Sequence, residues 1–183
     1  MTACVAPRSQ VSTSYYEVSG QTSDQLVRDI ARKAPNNGKW FAMVSIQFVP
    51  VALEPDLRGG MCRFKRVRLR VKADITLPLW RERNFAKSKD LRQGWDGHAE
   101  YARIHEDFHV KIAELFARKM ESSLLALPAH RNCKELGASA TKIVRRLHQL
   151  HGKAQDEFDE LEEKRITRLI AASKRARRAG RGR

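Results

Sequence analysis

The sequence predicts an α+β fold, a small antiparallel sheet with one short helix packed on a long C-terminal antiparallel helical hairpin. Three observations predict it. Apolar and polar residues alternate strictly from Arg66 to Leu77, which marks a half-exposed strand. After Trp80 the pattern changes to a helical period and keeps it almost to the end of the chain. Pro128 interrupts that helical region once, so two helices lie side by side, joined by a short turn.

The elements follow in order. Residues 1–13 are polar and read as a disordered N-terminus. Tyr15 to Gly20 is a short strand stopped by glycine. Thr22 or Ser23 caps a helix through about Lys33, with Leu26, Val27 and Ile30 as its apolar face. Pro35-Asn36-Asn37-Gly38 is a turn. Trp40 to Val49 is apolar and partly β-branched, so it reads as a strand buried largely on both faces, and 50–60 as a loop. In the next strand Val67, Leu69, Val71, Ala73, Ile75 and Leu77 face one way and Arg66, Arg68, Arg70, Lys72, Asp74 and Thr76 the other. Ser88 caps a helix that reaches about Leu127. The last helix runs from about Asn132 to Ala172, on a stripe of Leu136, Ala140, Ile143, Leu147, Ala154, Phe158 and Leu161. Residues 14–172 thus form one domain, and 173–183 a disordered basic tail.

Composition bounds the function. With 42% hydrophobic and 31% charged residues the chain is that of a soluble globular protein. No stretch approaches the roughly 20 apolar residues of a membrane-spanning helix. The net charge is +15, but six basic residues (Lys174, Arg175, Arg177, Arg178, Arg181 and Arg183) crowd into the tail. Contact with an anionic surface through that tail is a weaker expectation than a solvated charge run. The basic strand face has no interleaved aromatic residues, so no specific nucleic-acid partner is expected. The cysteines are Cys4, Cys62 and Cys133, none in a C-x-x-C pair. A bridge between Cys62, at the start of a strand, and Cys133, at the start of the last helix, is expected, with separate buried thiols as the alternative. Met-Thr-Ala-Cys resembles the end of a lipoprotein cleavage box, with Cys4 as a candidate lipid anchor, although no complete signal segment precedes it.

The chemistry sits in His105-Glu106-Asp107-Phe108-His109, an H-E-x-x-H motif inside the first long helix. Residues four apart share a helix face, so two imidazoles reach one ion, while Glu106, rotated about 100 degrees, flanks a bound water. Zinc with three protein ligands keeps a position for water and lowers its pKa towards about 7. Glu106 is then the catalytic carboxylate, general base and afterwards acid. The alternative is a pair of core histidines satisfied by carboxylates. Ile112 and Leu115 exclude the longer motif in which a glycine and a third histidine follow. With helices paired about a turn near 129–132, the histidines face residues 152–157, close to His148, His151, Asp156, Asp159 and Glu160. His151 shares the stripe of Leu147 and Phe158 and is the first choice for third ligand, with Asp159 the substitute. His98 lies roughly 10 Å along the axis from His105, too far to ligate.

Several further features point to one bacterial group. They are Tyr-Tyr-x-Val-Ser-Gly from Tyr15, the glycine pair before Cys62, Thr-Leu-Pro-x-Trp from Thr76, Trp95, the motif with Ile112-Ala113, and Leu-Pro followed by Cys133. Over about Tyr15 to Asp159 the chain resembles a family of predicted secreted zinc-dependent proteases. The resemblance implies a zincin-like domain with zinc at His105 and His109 and Glu106 as catalytic carboxylate. It also implies a secreted or periplasmic home, with an outer-membrane lipoprotein as a variant, and it supports the Cys62–Cys133 bridge. In that family a Tyr-Asp pair is followed by His-Gly; here Phe158-Asp159 matches the pair, but Lys164-Arg165 stands where the histidine falls. That puts activity, rather than fold, in question. The expectation is a zinc metallopeptidase acting on peptide or protein. The rivals are a non-catalytic envelope binding or scaffold protein with a decayed metal site, and a basic nucleic-acid-binding protein.

Overall fold

A computed structural model describes residues 9–180, with side chains through residue 176. Strand β3 (Met61–Trp80) forms the spine, between β1 (Ser9–Val18) and β2 (Met43–Arg58). Its apolar positions Val67, Leu69, Val71, Ala73, Ile75 and Leu77 are all buried, as the alternation requires. β2 pairs antiparallel to β3, as expected, but β1 pairs parallel to it, so the sheet is mixed rather than wholly antiparallel.

β2 corrects two expectations. It continues through the segment read as a loop, because it is the edge strand, where Pro50 and Pro55 leave no ladder donor missing. The register slips beside both prolines, between Pro50 and Ala52 and between Glu54 and Pro55. The Trp40–Val49 stretch is not buried on both faces: from Val44 to Val49 exposed and half-buried residues alternate. Gly59 and Gly60, with φ of 57° and 74°, make the tight turn into β3.

Helix α1 (Ser23–Lys33) begins at Thr22, whose side chain accepts from Gln25 N while Gln25 Oε1 accepts from Thr22 N. Leu26 and Ile30 pack against Val18, Trp80 and Ala86, but Val27 is exposed and does not belong to that face. A short helical turn, α2 (Pro35–Gly38), has left-handed Asn36 and Asn37. At Gly38 a Cβ would meet Ala31 O at 1.8 Å, so the turn admits only glycine there and delivers Trp40 and Phe41 to the sheet edge.

Ser88 accepts from Leu91 N to open α3 (Lys89–Leu125). Its alanines lie on the sheet: Ala113 and Ala117 with Met120 pack on Leu69 and Val71, and Ala102 and Val110 on Ala73, Ile75 and Leu77. Asn132 accepts from Glu135 N ahead of α4 (Cys133–Gly180), which contributes Leu147 to the same core. The expected Cys62–Cys133 disulfide is present, and Cys62 also exchanges two backbone hydrogen bonds with His130, at 2.7 and 2.8 Å. The helical turn is thereby fastened to the start of β3.

The outer boundaries lie beyond those read from sequence. β1 starts at Ser9, inside the 1–13 segment, and α4 continues to Gly180, through most of the 173–183 segment. Cys4 and its lipid-anchor reading lie outside the described residues.

Candidate metal centre

His105 and His109 lie one turn apart on the α3 face that meets α4, and the pairing of the two helices decides what they face. His109 meets Gln155 and His105 meets Asp159; both pairs average to residue 132, the turn before Cys133. This centre places Asp159, rather than His151, against the histidines. Asp159 Oδ1 is 3.1 Å from His105 Nε2 and 3.0 Å from His109 Nε2, and the two Nε2 atoms are 3.1 Å apart. His151, the first choice for third ligand, instead sits one turn back on α4, with its Nε2 2.8 Å from Gln155 Nε2 and its ring against Phe116 and Phe48.

Gln155 explains the pose of His109. Its amide nitrogen is 3.2 Å from the His109 carbonyl, an atom that only accepts. The nitrogen therefore lies on that side, and Gln155 Oε1, an acceptor, faces His109 Nδ1 at 2.6 Å. His109 therefore carries a proton on Nδ1, and in the neutral ring its Nε2 is the lone pair aimed at His105 and Asp159. The second amide hydrogen goes to His151 Nε2, so His151 is a neutral acceptor there. Its pKa is lowered by burial and then by His148 and His109, in keeping with that role.

His105 is held differently. Its ring stacks on Phe158 at 5.0 Å, and its buried Nδ1 has no hydrogen-bond partner among the described residues. Burial, followed by the charge of His109, pushes its pKa down, against the opposing pull of Asp159. Glu106 is buried beside the triad. Burial and then the Asp159 charge raise its carboxyl from 4.5 to about 7. Beyond Asp159, Glu162 accepts from Tyr101 at 3.0 Å and from Arg165 at 2.8 Å through two nitrogens. The bond from Tyr101 ties α4 to α3 one turn from His105. Arg165 holds the Glu162 carboxyl below its ordinary range.

Donor distances and donor chemistry both fit a divalent ion. The three atoms lie about 3 Å apart, close enough for one ion to take a lone pair from each once both Nε2 atoms are unprotonated. A tetrahedral zinc site, with bonds of about 2.0–2.2 Å, sets its donors roughly 3.3–3.5 Å apart, only a few tenths of an ångström wider than here. Two imidazole nitrogens and a carboxylate oxygen also form a donor set that several transition metals accept. The triad opens on a cleft of 830 Å³ walled by Trp40, Phe41 and Val44 on the sheet side and by Tyr101 and Ile166 on the helices. His98 lines the same cleft but hydrogen-bonds its own helix at Gly94 O, away from the triad.

Gln155, Tyr101 and Glu162 were not singled out in the sequence. Two of them carry a usable signal, since His151, Gln155, Asp159 and Glu162 recur at four, four and three residues along one face of α4.

Fold and site together define an α+β domain in which a helical hairpin, laid on a mixed three-stranded sheet, gathers a His-His-carboxylate donor set over a buried glutamate. Residues 13–165 match DUF922, a bacterial protein family of unknown function, and the chain belongs to that family. No curated protein and no solved structure matches it.

Proposed function

We propose that this protein is a metal-dependent hydrolase, a zinc metallopeptidase acting on peptide or protein in a secreted or periplasmic setting. The observation that carries the reading is the convergence of His105 Nε2, His109 Nε2 and Asp159 Oδ1 within 3.1 Å beside buried Glu106. A divalent ion bound there supplies a Lewis acid and a nucleophilic water at neutral pH.

The chain's own residues account for the rest. Glu106, with a carboxyl near neutrality, takes a proton from the attacking water and returns it to the departing nitrogen. Burial disfavours the charged form of His105, and Gln155 fixes the His109 tautomer whose Nε2 is the ligating nitrogen. Trp40, Phe41 and Val44 give the cleft an apolar wall on which an extended substrate can lie. Two imidazoles with one carboxylate also suit ferrous oxygenase chemistry. A proton acceptor matched to neutral pH favours hydrolysis, which needs one. The Cys62–Cys133 bridge supports an oxidising compartment.

The test is metal content and peptide hydrolysis in the wild type, His105→Ala and Glu106→Gln. His105→Ala is expected to lose both metal and activity. Glu106→Gln is expected to keep metal and lose about 10²- to 10⁴-fold in rate. Negligible metal in the wild type would end this reading. Bound metal without hydrolysis would favour the non-catalytic binding or scaffold rival.

A further inference from the structure

The C-terminal half of α4 leaves the domain. The family match ends at residue 165, and from Thr167 to Ala176 every residue is exposed, so the helix continues as an arm with nothing packed on it among the described residues. The arm is not polar all round: Leu169 and Ile170, adjacent on it, are 56% and 50% exposed. At 100 degrees per residue, Ile166, Leu169, Ile170, Ser173 and Ala176 fall within an arc of about 120 degrees, which Arg177 ends by entering it. Lys164, Arg168 and Arg175 occupy the opposite side, while Arg165 and Lys174 border the arc. From Lys164 to Arg178 the sequence has seven basic residues and no acidic one.

We infer that this arm docks on the surface of an anionic lipid bilayer, its apolar arc in the acyl boundary and its bordering basic side chains at the headgroups. Two other occupants fit less well. A second copy of the chain would bring two strongly positive helices together. A nucleic acid would satisfy the charge but leave Leu169 and Ile170 uncovered. The arm lies on the surface rather than spanning, since no helix is long and apolar enough to cross a membrane among the described residues. Ile166, at the root of the arc, also lines the cleft, so docking brings the cleft beside the bilayer. The inference itself does not depend on the metal or on hydrolysis.

The test is co-sedimentation of the full chain with vesicles of roughly 70% phosphatidylcholine and 30% phosphatidylglycerol, against vesicles of phosphatidylcholine alone. Binding is expected only to the anionic vesicles and is expected to weaken with salt. Lys174→Gln is expected to cost about fivefold, the worth of one charge near the surface. Leu169→Ser with Ile170→Ser is expected to cost about 100-fold, near tenfold per side chain. Lys174, Leu169 and Ile170 are exposed and away from the triad, so an unchanged circular dichroism spectrum and unchanged metal content should accompany the loss. Three results would overturn the proposal. One is no binding to anionic vesicles, and another is vesicle binding that survives loss of the apolar pair. The third is binding to duplex DNA, unaffected by that pair, that exceeds binding to vesicles.

Discussion

Replacing Glu106 by glutamine should stabilise the metal-free protein at alkaline pH while removing its activity. The Glu106 carboxyl is raised from 4.5 to about 7 in the fold, first by burial and then by Asp159. In the unfolded chain it titrates near its ordinary value, about 4.3. A folded value above the unfolded one means that folding favours the protonated acid. Its contribution is complete below about pH 4, declines as pH rises, and is gone above about pH 7. The displacement corresponds to about 3 kcal/mol of destabilisation when the group is ionised. A neutral isostere escapes this cost. Urea unfolding with chelator present and the disulfide intact should show Glu106→Gln within about 1 kcal/mol of wild type at pH 4. At pH 8 it should be more stable by up to about 3 kcal/mol, a midpoint shift near 1 M for a chain of this size. A difference between the two proteins that is the same at both pH values would refute the argument, because only a titrating carboxylate makes it change with pH.

Three further perturbations follow from the same contacts. Gln155→Leu removes the acceptor that fixes the His109 tautomer and should weaken metal binding about 10- to 100-fold, read by competition with a metal-binding dye. Replacing Cys62 and Cys133 together opens a loop spanning 71 residues and should cost about 4 kcal/mol on chain-entropy grounds, measured by urea unfolding against the oxidised protein. Asp29, held well below the ordinary carboxylate range by Lys33, the Ser19 amide and Arg32, contributes stability that is complete above about pH 4 and lost as pH falls towards its depressed folded value. The gap in stability between wild type and Asp29→Asn should therefore narrow on acidification, followed by thermal melts.

What could be read from the sequence was local. The alternation in β3, the caps at Thr22 and Ser88, and the helical hairpin around Pro128 are written in neighbouring residues, and so is the placement of His105, Glu106 and His109 on one helix. What could not be read was set by distant partners. Nothing near Tyr15 says that β1 will lie parallel to β3. Pro50 and Pro55 argue against a strand unless β2 is known to be the edge. Alanine, lysine and arginine after Ala172 looked like a frayed tail, yet all three are strong helix formers, and the helix runs on. The third donor was the hardest case. Which α4 residue faces His105 depends on where the helical turn is centred, and moving that centre by one residue moves the partner by two. A centre at 132 selects Asp159; the His-Gln-Asp-Glu spacing on α4 becomes informative only once that register is known.

On the proposed reading, His105, His109 and Asp159 hold the metal, and His151 acts only through Gln155. It is tested most directly by zinc titration calorimetry on wild type, Asp159→Ala and His151→Ala. One ion per chain is expected in the wild type. Asp159→Ala should lose more than the roughly 10- to 100-fold typical of a supporting partner, and His151→Ala no more than that. Abolished binding in His151→Ala, with Asp159→Ala unchanged, would contradict it.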